Sequence, residues 1–165
     1  MSFSLIPLFS FRRVTDISPE FLFGNGIKFL MLDLDNTVAA YSEDTPSDDI
    51  IQWVGIIKDS GVKLLIVSNS RRKDRVESFA NALKIDFTKE ARKPSPNGVL
   101  AAMESEGFST HESALAGDQV YTDALAANRA GVLSIAVRPR SLRNPLLALR
   151  YALESPFRAA ARIRR

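Results

Sequence analysis

The stretch Phe29-Leu30-Met31-Leu32-Asp33-Leu34-Asp35-Asn36-Thr37 decides the fold. An unbroken apolar run ends in two acids that bracket one leucine, and a threonine follows. The run is too short for a helix core and reads as a strand buried on both faces, as in a parallel sheet. The chain turns directly after it, so Asp33 and Asp35 both sit at the carboxyl end of the strand. In open α/β sheets that edge is where ligands bind. Two carboxylates held there repel each other and are costly to bury without a compensating charge.

Further apolar runs follow at the spacing of β-α units. Val62 to Val67 ends in Ser68-Asn69-Ser70, Ile85 to Thr88 gives a short strand, Ser113 to Ala116 ends in Gly117-Asp118, and Val132 to Val137 closes the series. Helical segments separate them. Ser18-Pro19-Glu20 opens a turn with Ser as N-cap and Pro at the first helical position, and Gly24-Asn25-Gly26 stops it. Thr45-Pro46-Ser47-Asp48 opens a helix whose apolar face is Ile50, Ile51, Val54 and Ile57, and Gly61 ends it. Arg71 to Leu83, Asn97 to Glu106 and Tyr121 to Ala130 are the next three. Strands and helices alternating with short connections predict a doubly wound α/β fold: a parallel five-stranded sheet with helices on both faces.

Parallel strands bring their carboxyl ends to one edge, so Asp33, Asp35, Ser68, Asn69, Asp118 and Asp123 can converge, with Lys93 from the loop Ala91-Arg92-Lys93-Pro94-Ser95-Pro96. Phosphoryl transfer needs such a set: an oxygen nucleophile, a proton donor for the leaving group, cations on the equatorial oxygens and hydrogen-bond donors. Asp33 is the expected nucleophile, forming an aspartyl-phosphate. Asp35 is the expected acid for the leaving alcohol and base for the hydrolytic water. Mg²⁺ held by Asp33 and Asp118 offsets the repulsion between anionic nucleophile and anionic substrate. Lys93, Ser68 and Asn69 are the expected phosphate-binding groups.

Asp33-Leu34-Asp35-Asn36-Thr37, Ser68-Asn69, Lys93-Pro94 and Gly117-Asp118-Gln119-Val120-Tyr121-Thr122-Asp123 together resemble the four motifs of the haloacid dehalogenase (HAD) superfamily of phosphatases. The segments Asp16 to Leu22, Gly26-Ile27-Lys28 and Gly117 through Gly131 resemble more closely the YqeG-like group of subfamily IIIA, which is similar to phosphatidylglycerophosphate phosphatases. The likeness spans about residues 14–139. It implies a HAD-like fold, a Mg²⁺ ligand in the backbone carbonyl of Asp35, a supporting place for Thr37, and an Asp123 that orients Lys93 or a metal-bound water. Ser70 departs from the group, where Asn is common. Many HAD enzymes enclose a small substrate under a cap domain. Here the gaps from Asp35 to Ser68 and from Ser68 to Lys93 have no room for one, which predicts an open site and a bulky or membrane-borne substrate such as phosphatidylglycerophosphate.

The ends of the chain differ from the middle. Residues 1–25 read as an apolar arm (Phe3, Leu5, Ile6, Leu8, Phe9, Phe11) and a short helix, the arm packing on the domain or touching a membrane interface. Residues 26–139 are the phosphatase core. Residues 140–165 read as a basic amphipathic helical tail, opened by Asn144-Pro145 and restarted at Ser155-Pro156. Of 22 Lys and Arg and 19 Asp and Glu, residues 138–165 hold eight arginines and a single acid, Glu154, so the net charge of +3 is a property of the tail. Arg158, Arg162 and Arg165 share a helical face there.

That charge suits an anionic membrane surface. It also admits the alternative of a factor docking on RNA, a ribosomal particle or a partner protein, with phosphatase activity on a phosphoprotein or a nucleic-acid end. Aromatic residues for base stacking are sparse in the tail, only Tyr151 and Phe157. With no Cys there is no disulfide, thiolate metal site or Cys nucleophile. No apolar run reaches the length of a membrane span. Arg12 and Arg13 follow the apolar arm rather than precede it, the wrong order for a secretory signal. The expected location is cytoplasmic, either free or peripheral at the inner face of a membrane or its organelle equivalent. His111, the lone histidine, sits in a solvated loop.

Overall fold

The computed structural model describes residues 3–88 and 91–161, and the backbone of 163 and 164. The five expected strands are present, and two more extend the sheet. In chain order the strands are β1 (Phe9–Phe11), β2 (Phe29–Leu32), β3 (Lys63–Val67), β4 (Asp86–Thr88), β5 (Ser113–Gly117), β6 (Leu133–Val137) and β7 (Ile163–Arg164). They form one sheet in the order β4-β3-β2-β5-β6-β1-β7, and every pairing is parallel. The helices are α1 (Pro19–Gly24), α2 (Asp48–Asp59), α3 (Lys73–Leu83), α4 (Asn97–Glu106), α5 (Leu125–Ala130) and α6 (Pro145–Ala159).

The apolar alternation of the central strand sorts the two faces. Leu30 and Leu32 join Phe21, Ile50, Trp53 and Phe79 in the core under α1, α2 and α3. Phe29 and Met31 point the other way, into the core with Val99, Met103, Ala126 and Ala130 of α4 and α5. All four β2 residues are fully buried, as a central parallel strand covered on both faces requires. The local signals act as expected at α1, where the Ser18 hydroxyl accepts from the Phe21 amide at 3.2 Å with Pro19 next in line. No inserted unit appears among the described residues: only α2 and β3 lie between Asp35 and Ser68, and only α3 and β4 between Ser68 and Lys93.

Three features differ from the sequence expectation. First, the sheet has seven strands, not five. Part of the apolar arm is β1, which pairs with β6 in the register Phe9↔Ile135 and Phe11↔Val137. Phe9 and Phe11 each meet the Phe21 ring edge-on at 4.9 Å. Three-residue strands carry too little alternation to be told from an arm that merely packs. Second, the helix expected at Tyr121 to Ala130 begins as a π-helical turn, Val120–Ala124, before α5. Third, α6 runs unbroken through Pro156 instead of restarting there.

The C-terminal helix is also built into the core. Arg158 turns inward and is buried, donating to the Val137 carbonyl at 2.9 Å, to the Asp118 carbonyl, and to Glu154 Oε2 at 3.0 Å. Arg158 therefore does not face outward, and the side chains of Arg162 and Arg165, expected beside it, lie outside the described residues. The exposed side of α6 is apolar instead: Leu146, Leu149 and Leu153.

Glu154 and Arg158 form a buried pair, and breaking one partner leaves an uncompensated buried charge. Arg158→Met is expected to lower stability by about 3–5 kcal/mol in a denaturant titration. Glu154→Gln/Arg158→Met is expected to recover a large part of that loss.

Candidate active site

The direction of strand order reverses between β2 and β5, and the crevice opens at their carboxyl ends, where such sheets bind ligands. Leu32 pairs with Ala116, and the Asp33 amide donates to the Ala116 carbonyl at 2.9 Å, so Asp33 and Asp118 leave neighbouring strands side by side. A cavity of about 320 Å³ lies over them, lined among others by Asp33, Asp35, Ser68, Asn69, Lys93 and Asp123.

Lys93 is fully buried and bridges two acids, with Nζ 2.7 Å from Asp33 Oδ1 and 2.8 Å from Asp123 Oδ1. Burial works against its charge, but the Asp123 and Asp33 carboxylates outweigh that, and its pKa lies above the ordinary lysine value. Its position is set from Asn69. The Lys93 amide donates to Asn69 Oδ1 at 2.9 Å, and Asn69 Nδ2 donates to the Lys93 carbonyl at 2.7 Å. Asn69 lines the crevice, yet both ends of its amide serve to hold Lys93. Thr37 Oγ1 lies 3.4 Å from Asp33 Oδ2, and Ser68 is buried beside the crevice with its hydroxyl accepting from the Ser70 amide at 3.1 Å.

Asp118 is different. It is buried, and neither carboxylate oxygen has a hydrogen-bond partner. The nearest cation is Arg150, at 3.9 Å from Oδ2. Asp33, Asp118 and Asp123 each offer one oxygen within 4.8 Å of the others. Burial, then the neighbouring acids Asp33 and Asp123, push the Asp118 pKa well above the carboxylate range. Burial raises Asp33 to about 7 even with Lys93 alongside. Three carboxylates against one ammonium, with two orphaned buried oxygens, fit a hard divalent cation that takes oxygen ligands.

Several contributors were not anticipated. The Arg75 guanidinium pairs with Asp35 Oδ1, donates to the Ala40 carbonyl at 2.7 Å and the Glu43 carbonyl at 3.1 Å, and lies over the Phe79 ring. Arg75 falls on the inward face of α3, in phase with Phe79, and that phase was the available signal. Asn36 has φ +66°, a conformation Asn tolerates better than most residues. Its amide donates to the Ser141 carbonyl at 2.9 Å and accepts from the Ser141 amide at 3.0 Å, tying the turn after β2 to the segment before α6. Tyr41 stands exposed at the crevice mouth, and partial desolvation followed by the charges of Asp118, Asp35 and Asp33 raises its hydroxyl pKa. At Gly117 a Cβ would meet Asp123 Oδ2 at 2.2 Å, so only glycine lets the Asp123 carboxylate close in on the strand end.

The haloacid dehalogenase-like hydrolase profile matches residues 15–131. The chain belongs to that family. It is 33% identical over 128 residues to the probable phosphatase YqeG of Bacillus subtilis (strain 168), covering 78% of this chain and 74% of that protein. A second relative, the putative pyrophosphatase PpaX of Caldanaerobacter subterraneus, is 29% identical over 99 residues, 55% of this chain and 44% of PpaX. Among solved structures, the 3-deoxy-D-manno-octulosonate 8-phosphate phosphatase of Moraxella catarrhalis, determined with magnesium, phosphate and its sugar, superposes with a TM-score of 0.52. The identity is 15%, over 85% of this chain and 95% of that one, which speaks to the fold. The protein is a HAD-family phosphatase with a parallel α/β fold and an acidic cluster suited to a divalent metal. No helix among the described residues is long and apolar enough to cross a membrane.

The acidic cluster gives a pH signature without any turnover. Because Asp33 and Asp118 are raised in the metal-free fold, the folded state holds protons between the usual carboxylate range and about pH 7 that the unfolded chain has released. Stability of the metal-free protein is therefore expected to fall as pH rises through that window. Thermal melts in chelator and in Mg²⁺ should show a cation-dependent rise in Tm that grows from pH 5 to pH 8. Asp118→Asn should raise the Tm of the chelated protein at pH 8 and lose most of the response to the cation.

Proposed function

We propose that the protein is a Mg²⁺-dependent phosphomonoesterase that works through an aspartyl-phosphate on Asp33 and acts on a bulky or membrane-borne substrate. The observation that carries the mechanism is the pairing at the crevice floor: a nucleophile-grade carboxylate gripped by Lys93, beside an Asp118 whose buried oxygens have no hydrogen-bond partner. Asp33, Asp118 and the Asp35 carbonyl are the groups assigned to hold Mg²⁺. When bound, the ion supplies the positive charge that lets an anionic nucleophile approach an anionic phosphate.

Each residue then has a stated task. Asp33 attacks phosphorus through a carboxylate oxygen, and the P–O bond to the leaving alcohol breaks. Asp35 gives that alkoxide a proton, and in the second half-reaction takes one from the water that hydrolyses the acyl phosphate. Arg75 fixes which way the Asp35 carboxyl faces. Lys93 and the Ser68 hydroxyl contact the equatorial oxygens, where charge is concentrated in the transition state. Asn69 and Asp123 act on Lys93, one through its backbone and one through its ammonium.

The substrate class rests on openness and on α6. No unit folds over the crevice among the described residues. Tyr41, at its mouth, also lines a second cavity of about 310 Å³ with Arg143 and Leu147 at the start of α6. Leu146, Leu149 and Leu153 are exposed on that same helix, and Arg150, flanking them, comes within 3.9 Å of Asp118 Oδ2. An apolar ridge with arginines beside the mouth suits a phosphate ester presented from an anionic bilayer, phosphatidylglycerophosphate being the named case. The proposed location is therefore peripheral, at a membrane surface.

Asp33→Asn is expected to reduce turnover of any phosphate ester by at least a thousandfold with the fold intact, because an amide replaces the attacking oxygen. Asp35→Asn should let a phospho-enzyme accumulate, seen by mass spectrometry of quenched protein. More than a few per cent residual activity in purified Asp33→Asn would overturn the mechanism. For the substrate class, Leu146→Ser/Leu149→Ser/Leu153→Ser should lower turnover of phosphatidylglycerophosphate in vesicles severalfold while p-nitrophenyl phosphate turnover stays level. Equal turnover of the vesicle substrate by variant and parent would sink the membrane reading.

A further inference from the structure

Arg12 and Arg138 occupy an unusual position. Phe11 pairs with Val137 at the end of β1 and β6, and the Arg138 amide donates to the Phe11 carbonyl at 3.2 Å. The two arginines are thus the next residues on adjacent parallel strands, and they line the same cavities. Like charges side by side on neighbouring strands are unfavourable unless an anion joins them. Neither side chain has an ion pair among the described residues. Nearby arginines do: Arg13 sits 3.2 Å from Asp16, and Arg140 reaches Asp49 at 3.4 Å and Glu43 at 3.5 Å.

Beyond them lies a cleft of about 520 Å³ between the strand ends and α6, lined by Arg12, Arg138, Arg158, Tyr151, Ser155 and Ser10 with Phe11 and Ala159. It shares no lining residue with the active-site crevice. Its described lining contains three arginines and three hydroxyl side chains but no carboxylate. Arg158 is only 7% exposed, and although it makes the three donations described above, its Nε–H is buried without a hydrogen-bond partner. Its guanidinium carbon lies 4.9 Å from the centre of the Tyr151 ring, which keeps it in place.

We propose that this cleft is a second oxyanion site that binds a phosphate group, separate from the catalytic crevice. Guanidinium forks match the oxygens of a phosphate; the exposed Arg12 and Arg138, without an ion pair among the described residues, supply those forks, and the buried Arg158 adds positive charge behind them. The same chemistry is offered by free inorganic phosphate and by a phospholipid headgroup. Arg158 belongs both to this cleft and to the contact with the Asp118 carbonyl, so the bound group sits one side chain away from an acid of the catalytic cluster.

The test is residue-resolved. Full-length protein is titrated with inorganic phosphate at constant ionic strength, set with chloride, while the arginine Nε–Hε NMR signals are followed. The Arg12, Arg138 and Arg158 signals should shift saturably. In Arg12→Gln/Arg138→Gln the Arg158 signal should need at least tenfold more phosphate, while the Ser68 and Asn69 amides respond as in the parent and p-nitrophenyl phosphate turnover is unchanged. In parallel, parent and variant are sedimented with phosphatidylglycerol vesicles and with phosphatidylcholine vesicles. Saturable shifts with phosphate assign the site to the free anion. Loss of phosphatidylglycerol binding in the variant assigns it to the headgroup, and either result supports the site. If the double variant does not fold, Arg138→Gln and the parent titration decide the matter. The proposal is overturned if the three arginine signals do not saturate with phosphate and vesicle binding is the same with and without Arg12 and Arg138.

Discussion

The structure is organised by the mutual repulsion of three carboxylates held at adjacent strand ends. Asp33 and Asp118 are side by side because β2 and β5 pair in register, and Asp123 closes in because Gly117 has no Cβ. One ammonium, Lys93, faces two of them. At the electrostatic strength of a buried site, such a cluster is stable only if some of the acids are protonated or further positive charge arrives. The raised pKa values of Asp33 and Asp118 are the first of these solutions, and a divalent cation is the second. The same imbalance that penalises the metal-free fold suits the cluster to a divalent cation.

Much of the surrounding architecture holds that cluster in place. Asn69 fixes Lys93 through a reciprocal pair of hydrogen bonds with its backbone. Arg75 holds Asp35, the carbonyls of Ala40 and Glu43, and the face of Phe79, so one side chain joins α3 to the loop after β2. Arg158 holds the carbonyl of Asp118 from the opposite side, with Val137 and Glu154 as its other partners. Arg75 and Arg158 are buried charges with fixed hydrogen-bond partners, which restricts the geometry of the acids more tightly than apolar packing alone would.

The alternation of strands and helices was legible because parallel strands buried on both faces leave unbroken apolar runs, and because Ser18-Pro19 and Gly61 mark helix ends. The chemical residues were legible for a related reason: each follows directly on one of those runs. What escaped was set by tertiary contact. A three-residue strand such as Phe9–Phe11 has no period to read, and its place beside β6 depends on residues about 125 positions away. Arg75 reads as one more surface charge until α3 is docked. That Asn69 also holds the backbone of Lys93 shows only once the loop carrying Lys93 is docked.

The C-terminal arginines show why composition was a weaker guide than position. Eight arginines against one acid imply a surface meant for a polyanion. In the fold, Arg158 is buried and Arg150 points toward Asp118, so part of that positive charge is directed inward, at the carboxylates of the crevice. The helix that carries them turns its leucines outward instead. Leu147, Tyr151 and Phe157 are partly buried beside the inward charges, so the helix buries a mixed face and leaves three leucines exposed, unlike the usual surface element. That mixed face matches what lies beneath: the Asp118 carboxylate, the Val137 carbonyl and the Tyr121 ring, which meets Phe157 edge-on at 6.0 Å. The electrostatic demand of the catalytic cluster therefore determines which side of α6 is left to meet the surroundings.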